Sequence, residues 1–333
     1  MNKKKITIIG AGVSGLYLAY LLEKKYDVTI VEARDRVGGR IHSINTNDMG
    51  PSWVWSHQKK ILKLISELKL ELFSQYTQGL ALFDTKAKLE KFQPQPSAPS
   101  ARMKGTLSSL IDELKSRLTD TKIILSEEVK SVQETQNGVK IQTENNTYES
   151  EIAILTLAPR LTAKLNFTPP LEETLKTKML GTQTWMGSSA KCVVEFKKSL
   201  WKEAGLSGFT FSHIGPLGEI HDASEGEKHA LFGFVSANAN MSTFGADLNA
   251  QLHRLFDFEE SEVLAIYLVD WREEKFSSAP ADQLPLTAHP QYGINTNSYS
   301  QRILFSSTEF SFDNGGYIEG AISLAEEVAE KLL

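Results

Sequence analysis

A single cysteine, Cys192, stands among the 333 residues. With no second thiol there is no intramolecular disulfide, no Cys-x-x-Cys redox pair and no cysteine-rich zinc site, and a reducing cytoplasm is the expected compartment. The seven histidines (His42, His57, His213, His221, His229, His253 and His289) never fall at i, i+4 spacing, and none sits in a His-Glu-x-x-His pattern, so no metal is expected. Charge of one sign is also lacking. The chain has 36 basic residues against 41 acidic ones, a net charge of −5, which offers no surface for tracking phosphates and makes nucleic acid an unexpected partner. Long hydrophobic runs are missing too. The uncharged stretch 6–22 follows Lys3-Lys4-Lys5 as a signal peptide would, but it holds three glycines and leads into Glu23-Lys24-Lys25 instead of a small-residue cleavage site. It is read as folded structure, with no membrane or targeting segment expected.

The composition itself, 41% hydrophobic and 23% charged, is that of a soluble globular protein. Its length exceeds what one core usually serves, so two intergrown domains are expected. Ile6-Thr7-Ile8-Ile9, a Gly-rich turn, an apolar-faced helix to about Lys24 and Val28-Thr29-Ile30-Val31 form a β-α-β pattern, hence a parallel doubly wound sheet. Apolar spacing predicts helices over 60–70 and 107–118. Three prolines within 93–100 predict an extended surface crossing. From 129 to 157 the pattern becomes β, read as a meander beside the parallel sheet and ending at Ala158-Pro159. A second, α+β unit follows, with strands at 192–196, 231–235 and 263–269 and a helix near 246–256. The last elements are a strand at 303–307 and a helix opened by Gly315-Gly316.

Gly10-Ala11-Gly12-Val13-Ser14-Gly15 is G-x-G-x-x-G directly after a strand and at the start of a helix. Gly10 permits the tight turn, Gly12 lets a pyrophosphate approach the backbone, Gly15 lets helix and strand pack closely, and the helix N-terminus offers N–H groups to phosphate. Glu32 closes the second strand, where a carboxylate can accept ribose hydroxyls. Strand, helix and acid together predict a bound dinucleotide.

Glu32-Ala33-Arg34-Asp35-Arg36-Val37-Gly38-Gly39-Arg40 resembles the extended FAD fingerprint of the flavin amine oxidase superfamily, which includes monoamine and polyamine oxidases. The resemblance implies that Val13, Ser14, Ala33 and Gly39 join the cradle and that Arg34 and Arg40 position the cofactor's phosphates and adenosine end. It runs over nearly the whole chain. Met49-Gly50-Pro51-Ser52-Trp53 is similar to the family loop beside the isoalloxazine ring, although Pro51 stands where a second glycine is usual. Val129 matches a strand that bonds adenine through its backbone. Met186-Gly187-Ser188-Ser189-Ala190-Lys191 resembles the segment whose lysine holds a water at the flavin N5. Phe305 to Glu309 and Gly316-Tyr317-Ile318-Glu319-Gly320-Ala321 look like the closing FAD motif, with Glu309 and Ile318 at the cofactor. By the same likeness Tyr317 is one of two aromatic residues flanking the substrate amine, and Trp271 lies near the flavin. The count from Trp271 places the second aromatic at Pro280-Ala281, so the cage is expected to be incomplete. No cysteine falls where some members attach flavin covalently, so FAD is expected to be noncovalent.

The resemblance implies an α/β fold: a Rossmann-like FAD domain from 1–75, 102–178 and 273–333, and a smaller α+β substrate domain from 76–101 and 179–272. The usual helical substrate segment is replaced by the short Pro-rich stretch, so an open pocket is expected. The implied activity is FAD-dependent oxidation of an amine to an imine by hydride transfer to flavin N5, with reoxidation by oxygen or another acceptor and Lys191 and Tyr317 as catalytic residues. Other readings keep the fold: a renalase-like or desaturase-like oxidase of a non-amine substrate, or an escort-type binding protein without catalysis. A small-molecule substrate, no membrane partner and a cytoplasmic location complete the expectation; the sequence leaves the oligomeric state open.

Overall fold

The computed structural model describes residues 3–95, 98–284 and 289–333. Five parallel strands lie in the order Lys122–Ile124, Asp27–Val31, Lys5–Ile9, Ile152–Leu155 and Ile303–Phe305. A parallel sheet is covered on both faces, so its central strands are apolar throughout rather than alternating. Ile6, Ile8, Ile30 and Ile154 are accordingly buried. The helix Val13–Leu22 is sandwiched between this sheet and the helices Ser108–Arg117 and Ile318–Leu332, which explains why it is apolar nearly all round.

Ile152–Leu155 corrects the expected meander. It runs parallel between Lys5–Ile9 and Ile303–Phe305, because an Ile-Ala-Ile-Leu run apolar on both faces suits only the interior of a parallel sheet. The antiparallel meander consists of Val129–Thr135, Gly138–Thr143 and Thr147–Ser150, joined by Asn166–Thr168 parallel to the first of these. The C-terminal helix begins at Ile318, with the extended Tyr317 as its N-cap, two residues beyond the Gly315-Gly316 pair.

A seven-stranded sheet runs Val263–Asp270, Ala190–Phe196, His229–Val235, Leu217–Asp222, Leu206–Ser212, Leu80–Asp84 and Leu89–Phe92. One face packs on the helix Phe244–Phe256, whose Leu248, Leu252 and Leu255 meet Cys192, Val194 and Leu231. The opposite face presents Lys191, Phe232 and Phe234 to the site described below. The hairpin Leu80–Asp84/Leu89–Phe92 arises just before the proline-rich stretch, which carries no helix or strand at 93–95 and 98–99 and leads into the strand Ser100–Met103; residues 96–97 lie outside the described residues. No helix among the described residues is long and apolar enough to cross a membrane.

Candidate active site

The carboxyl ends of the parallel strands and the open face of the seven-stranded sheet enclose a cavity of about 650 Å³. The crevice beyond the carboxyl ends is where an open α/β sheet has backbone N–H groups free for a ligand. Gly10, Gly12, Val13, Ser14, Glu32, Arg34, Gly39, Arg40, Gly50, Pro51, Ser52, Trp53, Lys191, Trp271, Tyr317 and Ile318 all line it. Gly15, Ala33, Val129 and Glu309 do not; they stand behind the wall or away from it.

At the dinucleotide end each glycine has a distinct task. A Cβ on Gly15 would lie 2.0 Å from the Gly10 carbonyl oxygen, so only glycine lets the helix start this close to the strand. A Cβ on Gly12 would meet nothing within 4 Å and would instead project into the open cradle. Glu32 accepts from the Ala11 and Arg34 amides at 2.7 and 2.9 Å, which fixes the carboxylate at the end of its strand. The Ser14 hydroxyl donates to the Ser306 carbonyl and ties the first helix to the residue that follows the last strand. Arg34 is held by Glu274 at 3.2 Å and Ser277 at 2.9 Å. Arg40 forks onto the fully buried Glu309 at 2.5 and 3.1 Å. Burial works against the Arg40 charge, but the Glu309 carboxylate reverses that and leaves its pKa raised. Glu309 thus acts by holding Arg40 at the cavity.

At the other end, Lys191 donates to the Gly50 carbonyl at 2.8 Å and to the Ser52 hydroxyl at 2.5 Å, with Nζ 4.3 Å from the centre of the Phe232 ring. Burial pushes its pKa down to about 7, the nearby Arg102 adding to the effect and Asp48 opposing it. Burial also raises Asp48. Trp271 donates from Nε1 to the Met49 carbonyl at 2.9 Å, and Trp53 from Nε1 to Gln75 Oε1 at 2.8 Å. The loop Met49 to Trp53 is therefore clamped at four of its five residues.

Tyr317 faces three aromatic rings that sequence reasoning missed: Trp55 at 5.8 Å edge-on, Trp185 at 6.1 Å, and His289 stacked near parallel at 5.7 Å between ring centres. Pro280 and Ala281, where the second cage residue was expected, lie in the turn Pro280–Gln283 and do not line the cavity. That turn still serves the site. Asp282 accepts from the Thr184 amide at 2.8 Å, from Thr184 Oγ1 at 3.2 Å and from Arg160 at 2.6 Å, which fixes the segment bearing Trp185. Trp185 had a local signal, standing immediately before the Met186 to Lys191 motif. Phe234 and Glu219, which also line the cavity, had none.

A glycine cradle with room at Gly12, a buried carboxylate at the end of the second strand and a second, aromatic chamber fit a flavin dinucleotide, and they define an α/β flavoprotein oxidoreductase. Comparison with known proteins agrees. The model of the "flavin containing amine oxidoreductase" family matches residues 71–333, and that of a Rossmann-like NAD(P)-binding domain matches 8–68. Among curated proteins, human flavin-containing amine oxidase B is 23% identical over 100% of this chain and 86% of its own length. Dog amine oxidase A is 24% identical over 98% and 84%. Among solved structures, putrescine oxidase bound to putrescine superposes with a TM-score of 0.84 at 18% identity, and cyclohexylamine oxidase from Brevibacterium oxydans IH-35A with 0.83 at 16%, each covering 99% of both chains. The chain belongs to the flavin-containing amine oxidoreductase family and is an FAD-dependent oxidoreductase.

Proposed function

We propose that this enzyme oxidises a small amine to an imine, with oxygen or another acceptor taking the electrons onward. The observation that carries the reading is the chamber where Tyr317, Trp185, Trp55 and Phe234 surround the end of the cavity that Lys191 closes. The relatives named above as amine oxidases support it. FAD supplies the two-electron acceptor; Cys192 packs in the core against the helix Phe244–Phe256 instead of lining the cavity, so a thioether to the flavin is not expected.

The protein's own groups do the rest. The cradle Gly10 to Gly15, Glu32, Arg34 and Arg40 hold the dinucleotide end. Tyr317 and Trp185 offer ring faces that orient a neutral amine and exclude water from the carbon to be oxidised. Lys191, titrating near pH 7, keeps a proton at Nζ below that pH and presents a lone pair above it, next to the clamped Gly50 and Ser52. We also propose that the cofactor domain comprises 1–75, 102–178 and 273–333, and the substrate domain 76–101 and 179–272.

The test is product analysis. The FAD-bound protein is incubated with pools of primary, secondary and polyamines and, separately, with reduced nicotinamides, and carbonyl product and oxygen uptake are followed. Carbonyl formation from an amine pool is the expected result. Oxygen uptake with nicotinamides alone would replace the amine reading by a renalase-like one.

A further inference from the structure

We propose that Asp48 is a positioning residue for Lys191: joined to Arg102 through a buried water, its carboxylate governs the charge that Lys191 carries at the cavity wall. This goes beyond the amine reading above. It rests on the place of Lys191 in the site and not on which substrate is oxidised.

Asp48 stands directly behind the clamped loop. Lys191 Nζ donates to the Gly50 carbonyl and the Ser52 hydroxyl, two and four residues further along the same segment. Asp48 itself is 4% exposed and does not line the cavity. Its Oδ1 accepts from the Leu107 amide at 2.9 Å and from the Ser43 hydroxyl at 3.1 Å, which fixes the carboxylate in one orientation. Its Oδ2 is buried and has no hydrogen-bond partner among the described residues. Arg102, also 4% exposed, donates from Nη1 to the Ser224 carbonyl at 3.2 Å and lies 5.4 Å from the centre of the Phe73 ring. Its Nε is likewise buried without a partner among the described residues.

A buried acceptor and a buried donor left unpaired are both costly, and folded proteins satisfy such groups with internal water. A water that donates to Oδ2 and accepts from Nε satisfies the two at once without moving either side chain. It also couples a carboxylate to a guanidinium, which favours the ionised acid. Burial works against that charge, and the Oδ1 bonds, Arg102 and Lys191 oppose burial.

Asp48 and Arg102 are also the charges that act on Lys191, the first favouring its ammonium and the second disfavouring it. The other charged groups around the pair are committed elsewhere: Asp222 to Trp201 and Ser224, Glu225 to the Gly105 amide, Glu195 to Asn47, and Lys228 to the Thr46 carbonyl. Without the Asp48 carboxylate, the Lys191 ammonium would face burial and Arg102 together, and it would give up its proton at a lower pH. An acid with a merely structural task would need only its Oδ1 bonds, and an asparagine makes those equally well.

The experiment follows urea denaturation between about pH 5 and pH 9 for FAD-bound wild type and Lys191→Met, and for the same pair carrying Asp48→Asn or Asp48→Glu. FAD content confirms that each protein is folded. Within a pair, the stability gap starts to grow where the folded Lys191 loses its proton, at about pH 7 in the wild type. Asp48→Asn should lower that onset by about one pH unit or more, and Asp48→Glu, which keeps the charge, should bring it back toward the wild-type value. A crystal structure of the wild-type holoenzyme should show an ordered water within hydrogen-bond distance of both Asp48 Oδ2 and Arg102 Nε. An onset unmoved by Asp48→Asn, or direct contact between the two side chains in the crystal, would overturn the inference and leave amine oxidation standing. A wild-type gap with no onset near neutral pH would overturn the titration of Lys191 and the inference with it.

Discussion

Burial of Lys191 makes folding itself depend on pH in a direction the structure specifies. The ammonium's ordinary pKa of 10.5 falls to about 7 in the folded protein, chiefly because the side chain is buried. Below pH 7 the group is charged in both folded and unfolded chains, and the folded state bears the full cost of a buried charge. Between pH 7 and 10.5 the folded lysine has lost its proton and the unfolded one has kept it. Unfolding then takes up a proton, and stability rises with pH by about 1.4 kcal/mol per unit, or about 5 kcal/mol across the whole window. Other groups titrate in the same range, so the assay is a difference: urea denaturation of FAD-bound wild type and Lys191→Met at pH 7.5 and 9.5. The stability of wild type relative to the variant should grow by roughly 2–3 kcal/mol between those two conditions. A difference that does not change with pH would mean that Lys191 titrates near its ordinary value and that its place against Gly50, Ser52 and Phe232 is wrong.

Three further predictions follow from the same geometry. Gly15→Ala forces a Cβ onto the Gly10 carbonyl, so the variant should purify without FAD and lose about 1–3 kcal/mol in denaturation; full flavin content would contradict the cradle. Glu309→Gln leaves Arg40 without its buried countercharge. Because Arg40 reaches the cavity, the loss should fall near the low end for a broken buried pair, about 3 kcal/mol by denaturation, with weaker FAD retention on dialysis. Trp185→Ala should lower kcat/KM for amines by roughly 10- to 100-fold in steady-state assays, about 1.4–2.7 kcal/mol of transition-state stabilisation, while Phe276→Leu, near Arg34, should cost far less.

The parts legible from sequence are those encoded locally. Glycine spacing, the strand before it and the acid after it specify the dinucleotide cradle within a few tens of residues, and sixteen of the residues expected at the site do line the cavity. What sequence missed depends on pairing between distant segments. Ile152–Leu155 looked like the next strand of a meander because it follows three antiparallel ones; only its partners Lys5–Ile9 and Ile303–Phe305 place it in the parallel sheet. The strands Leu80–Asp84 and Leu206–Ser212 pair across more than a hundred residues, so neither announces the other. Glu219 illustrates the same limit. On a strand of alternating polarity it reads as a solvent-facing acid, and only the register with Phe234 and Lys191 turns it toward the chamber. Trp185 had a local signal in its place before the Met186 to Lys191 motif, but the residues that fix its segment, Arg160 and Asp282, lie far from it in the chain.

The most direct test of the central claim is anaerobic mixing of the FAD-bound protein with amines, followed at the oxidised-flavin absorbance. Bleaching by an amine, abolished or strongly slowed by Tyr317→Ala, is the predicted result. An absorbance unchanged by every amine, but bleached by a reduced nicotinamide, would contradict it.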